Sequence, residues 1–255
     1  AAPDGYTLLI NSNAHAVNPA IYPNVRYVPL RDFAPVTIVS SYPYILVVNK
    51  DVPVRSIREL IDYAKANPTK ANYAGASPIF QLATVLFRIV TGAPIEYIGY
   101  KSSTESVSAV MSGDVLMTMS DAPPLAGPIK SGRVVALAVT SSARTPTFPD
   151  IPTMAELGLP RLEMVSGLGV VAPVETPSAI IEKLQNEFVR IVKLPDIGER
   201  FRGMASEPVG STAEEFRRLI ATDLDRWTAA ALPPSACACG KHSSPPSPHG
   251  RKNHT

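Results

Sequence analysis

Cysteine and histidine are almost missing from most of this chain. Of its 255 residues, two are cysteine and four are histidine, and Cys237, Cys239, His242, His249 and His254 all fall in the final stretch. Before that stretch, His15 is the sole side chain of either kind. The scarcity excludes a cysteine nucleophile, a disulfide framework and a zinc site built from His and Cys over the first 231 residues. Cys237-X-Cys239 beside His242 has the spacing of a metal catch. It sits, however, in "LPPSACACGKHSSPPSPHGRKNHT", a Ser/Pro-rich setting that reads as a disordered or non-native tail over 232–255.

Long apolar runs are also lacking; none approaches the roughly 18 residues of a membrane span. The sequence opens without a basic-then-apolar stretch, and the expectation is that a signal peptide has been removed or that the start of the chain is absent. Hydrophobic residues at 45% against 18% charged nonetheless describe a globular chain with a sizeable core. Excess charge of either sign is missing too. The tail holds Lys241, Arg251 and Lys252 and no acid, so removing those three from 24 basic residues leaves 21 against 22 acidic ones. A neutral body lacks the clustered basic face that a nucleic-acid partner requires.

The usual signatures of catalysis and nucleotide binding are absent as well: no G-x-S-x-G elbow, no Walker loop, no H-E-x-x-H. "GLGVVA" (167–172) matches the dinucleotide fingerprint only formally, because its glycines lie inside an apolar strand. Pro173 and Pro177 then prevent a helix from starting where a pyrophosphate would need it.

What the chain does contain is alternation. Short β-branched or aromatic segments read as strands over 6–11, 35–40, 44–49, 71–74, 95–99, 115–120, 134–140 and 168–172. Between them run amphipathic segments such as 56–67 and 178–192, the latter with Ile180, Ile181, Leu184, Phe188 and Ile191 on one face. This order predicts an α/β fold with parallel sheets wrapped by helices. "YILVVNKDVPVRSIREL" (44–60) and "LGVVAPVETPSAIIEKL" (168–184) share a plan of strand, proline-bearing turn, Ser and Ile/Leu-rich helix. Two such units suit a chain that crosses between two lobes and later returns, leaving a cleft for a small ligand.

The turns after the strands hold the candidate site residues. Tyr73-Ala74 ends a strand, Leu82, Val85, Leu86, Ile89 and Val90 form a helical stripe, and Gly75-Ala76-Ser77-Pro78 lies between. Pro78 suits the first helical turn and Ser77 the N-cap. The bare backbone of 75–77 is either a site where amides converge on a carboxylate or phosphate, or an ordinary serine-capped turn. "SNAHAVNP" (12–19) also follows a strand and offers Ser12, Asn13, His15 and Asn18. A lone histidine with no matched acid–base partner reads first as a structural hydrogen-bonder. Asp121, at a third strand end, accepts from a ligand hydroxyl or ammonium, or caps the following helix.

Taken in order, "APDGYTLLI" (2–10), "HAVNPAIY" (15–22), "FAPVTIVS" (33–40), "YKSSTESVSAVMSGDV" (100–115) and "IKSGRVVALAVTSSARTPTFPDIPTMAELGLP" (129–160) resemble the recurring blocks of one family. So do "GLGVVAPVETPSAIIEKL" (167–184) and "STAEEFRRLIATDLDRW" (211–227). That family is the Bug, or TctC-like, receptors, extracytoplasmic solute-binding proteins of tripartite tricarboxylate transport systems. The resemblance covers residues 2 to about 230. It implies a type II periplasmic-binding-protein fold, two α/β lobes around a ligand cleft, with lobe 1 over 1–46 and 167–231 and lobe 2 over 47–166.

It further implies a periplasmic location, no cofactor, no metal, a small carboxylate ligand, and the membrane components of such a transporter as partners. Gly75-Ala76-Ser77 corresponds to one of the family's two ligand loops. The family's usual glycine-serine-histidine stretch is shorter here, with Phe80-Gln81 before Leu82, so Phe80 favours a less polar ligand or simply packs. Tyr100, Lys101 and Asp121 are the candidates for selectivity in the second lobe, Lys101 being otherwise a solvated charge. Hinging is expected near 44–49 and 167–172.

Set beside the family, the chain is expected to lack the first strand-loop-helix unit, whose glycine-rich loop supplies the other clamp, and to have an altered ending. It is therefore expected to be less stable and to bind more weakly than a complete receptor. Two rival readings are a small-acid enzyme using His15 and Asp121, and an effector-sensing domain of a transcription regulator.

Overall fold

The computed structural model describes residues 1–22 and 24–231; the tail 232–255, with its Cys-X-Cys pair and His242, lies outside the described residues. Its organising element is β2, a single strand of 17 residues from Phe33 to Asn49. The sequence reads as two strands here, because Ser41-Tyr42-Pro43 has turn character. The structure joins them by changing partners. Residues 33–43 pair antiparallel with β7 (Val165–Pro173), and Ser40 and Ser41 also pair with β8 (Glu207–Pro208). From Tyr44 onward the partners are β5 (Met117–Asp121) and β6 (Val134–Val139), both antiparallel. Pro43, which cannot donate to a ladder, ends the pairing with β7 at Val165 just before the change. Register shifts at Pro35/Thr37 and Ile38/Ser40 mark bulges that bend the first half.

β1 (Leu9–Asn11) flanks β7, while β3 (Asn72–Gly75) and β4 (Glu96–Gly99) extend the other side, giving the order β1-β7-β2-β5-β3-β4. The expected parallel pairing occurs in β3–β4 and β3–β5; every other pair is antiparallel. The reason lies in the connections. β3, β4 and β5 are joined through α4 (Pro78–Thr91) and α5 (Ser103–Ser112), and helical crossovers return the chain in the same direction. β2 and β7 instead run in opposite directions.

Beyond β2, Leu46, Val48, Tyr73, Phe87, Met117 and Leu162 form one buried cluster and Ile45, Val47, Val110, Leu125 and Val139 another. These use alternate side chains of β2, as period-two geometry requires. The helices α3 (Ile57–Ala66), α4, α5 and α6 (Ala122–Lys130) belong to this half. In the other half, α7 (Ser178–Val192) lays Ile181, Leu184 and Phe188 on Val36, Val170 and Ala172. Ile191 of the expected stripe is instead exposed. Behind α8 (Pro195–Gly203), α9 (Ala213–Ala231) brings Phe216 and Ile220 against Val171. The short α2 (Pro29–Asp32) leads into β2, and α1 (Ala14–Ile21) touches both halves, with Ala16 in the α9 cluster and Val17 in the β2 core.

α4 shows where apolar patterning misleads. Its buried face is Ile79, Phe80, Ala83, Thr84 and Phe87, whereas Val85 and Ile89 of the expected stripe are exposed. A helix apolar nearly all round does not define its own phase, and the two phenylalanines, seven residues apart, provide the larger buried surface. No helix among the described residues is long and apolar enough to cross a membrane.

The β2–β7 approach is close. A Cβ placed on Gly167 would lie 2.5 Å from the Ser40 carbonyl oxygen, a backbone atom that cannot rotate away. Gly167→Ala is expected to cost about 1–3 kcal/mol, the usual penalty of overpacking, read from the midpoint of urea unfolding.

Candidate ligand-binding site

Four turns, each leaving the carboxyl end of a strand and entering a helix, surround a cavity of about 250 Å³. Ser12, Asn13 and Ala14 come from β1–α1, Ala76, Ser77, Ile79 and Phe80 from β3–α4, Ser102 and Ser103 from β4–α5, and Asp121 from β5–α6. Tyr42, Tyr44 and Ser166, from β2 and β7, complete the lining. The volume is below the roughly 300–1,000 Å³ of drug-sized pockets and suits a small metabolite.

The local sequence explains why helix ends face this space. Pro78 starts α4 where a missing N–H costs nothing, and Gly92, with φ 66°, ends it in the left-handed region. Ser77 makes no side-chain cap, and the amides of Ala76, Ser77 and Ile79 donate to no acceptor among the described residues. In α5, Ser102 Oγ accepts from Glu105 N at 3.2 Å, and Glu105 Oε2 accepts from Lys101 N at 3.2 Å. This reciprocal cap leaves the Ser103 amide without an acceptor among the described residues. The N-termini of four helices therefore border one cavity, with spare backbone donors at the starts of α4 and α5; in α1 the first amides are taken up by Ser12 and Asn13, and in α6 Pro123 and Pro124 carry none.

The side chains fix the wall. Tyr44 is fully buried, and its hydroxyl accepts from Asn13 Nδ2 at 2.9 Å; Ser166 Oγ donates to Asn13 Oδ1 at 3.3 Å. Asn13 is thus held between β2 and β7. Burial pushes the Tyr44 phenol well above its ordinary value, so it stays a neutral donor. Asp121 occupies the N-cap position of α6 without capping it; its Oδ2 accepts from Ser103 Oγ at 2.7 Å. Its carboxyl is raised above the ordinary range because loss of hydration outweighs the Ser103 hydrogen bond. Among the described lining residues there is no lysine, arginine or histidine.

Of the residues singled out from sequence, Ser12, Asn13, Ala76, Ser77, Phe80 and Asp121 border the cavity. Phe80 packs edge-on against Tyr44, with ring centroids 5.1 Å apart. Gly75 stands behind the turn, its carbonyl accepting from Tyr97 Oη at 2.9 Å and from Tyr100 N at 2.8 Å. Gln81 is exposed on α4, and Tyr100 and Lys101 lie outside the lining, with Lys101 exposed.

His15 points elsewhere. It stacks on Tyr27 at 4.9 Å, meets Phe33 edge-on at 4.8 Å, and borders an adjoining cavity of about 230 Å³ that shares Ser12, Asn13 and Ser166 with the first and also touches Phe216 and Ile220. Asn18, also in α1, is not among the residues lining the polar cavity. Tyr42, Tyr44, Ser102, Ser103 and Ser166 were not evident from sequence. The Ser102-x-x-Glu105 spacing is a capping signal that marks Ser102, whereas the tyrosines and Ser166 sit inside strands with no local mark.

The sequence profile of the "Tripartite tricarboxylate transporter family receptor" matches residues 1–231. BugT of Bordetella pertussis is 35% identical over 231 residues, covering 89% of this chain and 71% of that protein. A protein in the tcbD-tcbE intergenic region of Pseudomonas sp. (strain P51) is 34% identical over 230 residues, covering 89% and 68%. Among solved structures, Rpa4515 of R. palustris with adipate superposes with a TM-score of 0.84 at 31% identity, covering 91% of this chain and 78% of that one. The periplasmic binding protein BugD superposes with a TM-score of 0.81 at 28% identity, covering 90% and 78%.

His15 generates a pH test. Burial lowers its pKa from 6.5, so the unfolded chain takes up the proton more readily than the folded one. Its contribution to stability is complete above pH 6.5 and is lost as pH falls towards the depressed folded value. His15→Phe, which keeps the aromatic stack, is expected to flatten the loss of unfolding free energy as pH falls below 6.5, measured by urea titration at each pH.

Proposed function

The chain belongs to the tripartite tricarboxylate transporter receptor family, and from that premise we propose that it captures a small carboxylate in the cavity bordered by α1, α4, α5 and α6. Family and structural neighbours are solute-binding proteins, so the chain is a receptor and not an enzyme. Its fold is that of the periplasmic binding proteins of this family. The observation that carries the ligand reading is the meeting of four helix N-termini at a polar cavity with no cationic side chain among its described lining residues.

One carboxylate docks on the free amides of Ala76 and Ser77. Ser12 and Asn13 approach from α1, and Tyr44, Ser103 and Ser166 supply hydroxyls. Each helix end contributes about 0.3–1 kcal/mol towards an anion at exposed sites and up to about 2 kcal/mol when partly buried. Several together offset the dehydration of one carboxylate without the desolvation penalty of a buried lysine or arginine. The adipate held by Rpa4515 supports a carboxylate as the ligand class.

The two lobes are residues 1–46 with 167–231, and 47–166. They close about β2, which runs through both, and about the link that enters β7 at Val165, and the ligand favours the closed form because it touches both lobes. The periplasm is the working compartment, in keeping with BugD, and the membrane components of a tripartite tricarboxylate transporter receive the loaded protein.

A thermal-shift screen against mono- and dicarboxylates is expected to give a concentration-dependent rise in melting temperature with at least one of them. Ser77→Asp provides the control. Aspartate is a good N-cap, so α4 should be no less stable, but its charge occupies the place of the ligand anion. Loss of at least about tenfold in affinity with unchanged unligated stability is expected from that like-charge contact; unchanged affinity would rule out docking at this turn.

A further inference from the structure

Asp121 is the one charged side chain among the described residues that line the polar cavity, and it stands among groups that bring no opposite charge. Its neighbours there are the phenols of Tyr42 and Tyr44, the amide of Asn13 and the hydroxyls of Ser12, Ser77, Ser102, Ser103 and Ser166. Nor is the carboxylate engaged in holding its own helix. α6 follows with Pro123 and Pro124, which carry no N–H, and Asp121 makes no side-chain cap. One oxygen, Oδ2, accepts from Ser103 Oγ at 2.7 Å. An ionised carboxylate offers about four acceptor positions on its two oxygens, so capacity remains for a donor from within the cavity.

The cavity is therefore mixed in character. Free backbone amides on the β3–α4 turn favour a negative group, while Asp121, at the end of the neighbouring strand β5, favours a donor and repels a negative group. A ligand that fills about 250 Å³ meets both. Resting on the carboxylate reading above, we infer that Asp121 makes this site select carboxylates whose other end bears a hydroxyl or an ammonium over dicarboxylates of equal length. A hydroxyl or ammonium donates to the unused acceptor positions of Asp121. A second carboxylate donates nothing and meets the like charge of Asp121. Burial already disfavours the charged form of Asp121, so a donor brought by the ligand restores part of the hydration that the site removes.

The test is calorimetric titration of the full chain with length-matched sets differing only at the far end. One set is butyrate, γ-hydroxybutyrate, γ-aminobutyrate and succinate; the other is the six-carbon series ending in adipate. The hydroxy or amino member is expected to bind at least about tenfold more tightly than the dicarboxylate of the same set, the scale of a hydrogen bond to a charged group. Asp121→Asn is expected to remove that preference. If the dicarboxylate binds as well as or better than the donor-bearing acids, or if Asp121→Asn leaves the order unchanged, the inference is overturned while the carboxylate site stands. If no member of either set binds, the carboxylate reading falls and takes the inference with it. The ranking in the unaltered chain decides the matter even if the variant fails to fold.

Discussion

A β-strand has two edges, and β2 uses each for different company along its length. That change of partners at Pro43 is the constraint from which the rest of the architecture follows. The first half is committed to β7 and β8, the second to β5 and β6, so one continuous backbone joins two sheet regions with separate apolar clusters. β7 runs back beside the first half only, starting at Val165 opposite Pro43. Pairing along residues 33–43 keeps both in register, and the Gly167 approach to the Ser40 carbonyl leaves no room there for a side chain. Strands paired in this way keep their backbone hydrogen bonds when a sheet twists, which loose linkers would not do.

The same geometry accounts for the site. The strands on both sides of the junction deliver their carboxyl ends towards one place, and short turns there start helices whose N-termini face inward. An anion can then be held by oriented peptide dipoles instead of a counter-ion. Such dipoles are fixed by the helices behind them, so they need little reorganisation when the ligand arrives. Asp121 sharpens this electrostatic picture. At an effective dielectric of about 20, two charges 4 Å apart interact by about 4 kcal/mol, more than a single helix end contributes. On the inference drawn above, one acidic side chain outweighs any one N-terminus in selecting the far end of a ligand.

Several features were legible in the residues alone. Alternating strands and amphipathic helices announced the α/β class, α7 was bounded at 178–192 as observed, and the two strand-turn-helix units at 44–60 and 168–184 are β2–α3 and β7–α7. Gly75-Ala76-Ser77-Pro78 was identifiable as a strand-to-helix turn because proline and serine have positional meaning at helix starts. The direction of pairing was not legible, since side-chain period carries no information about whether a neighbour runs parallel or antiparallel. The phase of α4 was hidden for a similar reason: its apolar residues surround the helix, and only contact with the sheet chose the Phe80–Phe87 face.

Within the site the division is the same. Sequence by itself determined the chemistry available: a neutral body, a lone histidine, small polar residues after each strand, and the family to which they belong. Local signals of this kind act within a turn or two, through capping, proline geometry and side-chain period. Tertiary structure alone decided which of those residues share a cavity. It turned His15 into an aromatic stack, left Lys101 in solvent, and brought Tyr44 and Ser166 to Asn13 across 31 and 153 residues of chain. Those choices depend on strand register and on which faces are buried together, and both are set by packing between segments too far apart for either to encode the other.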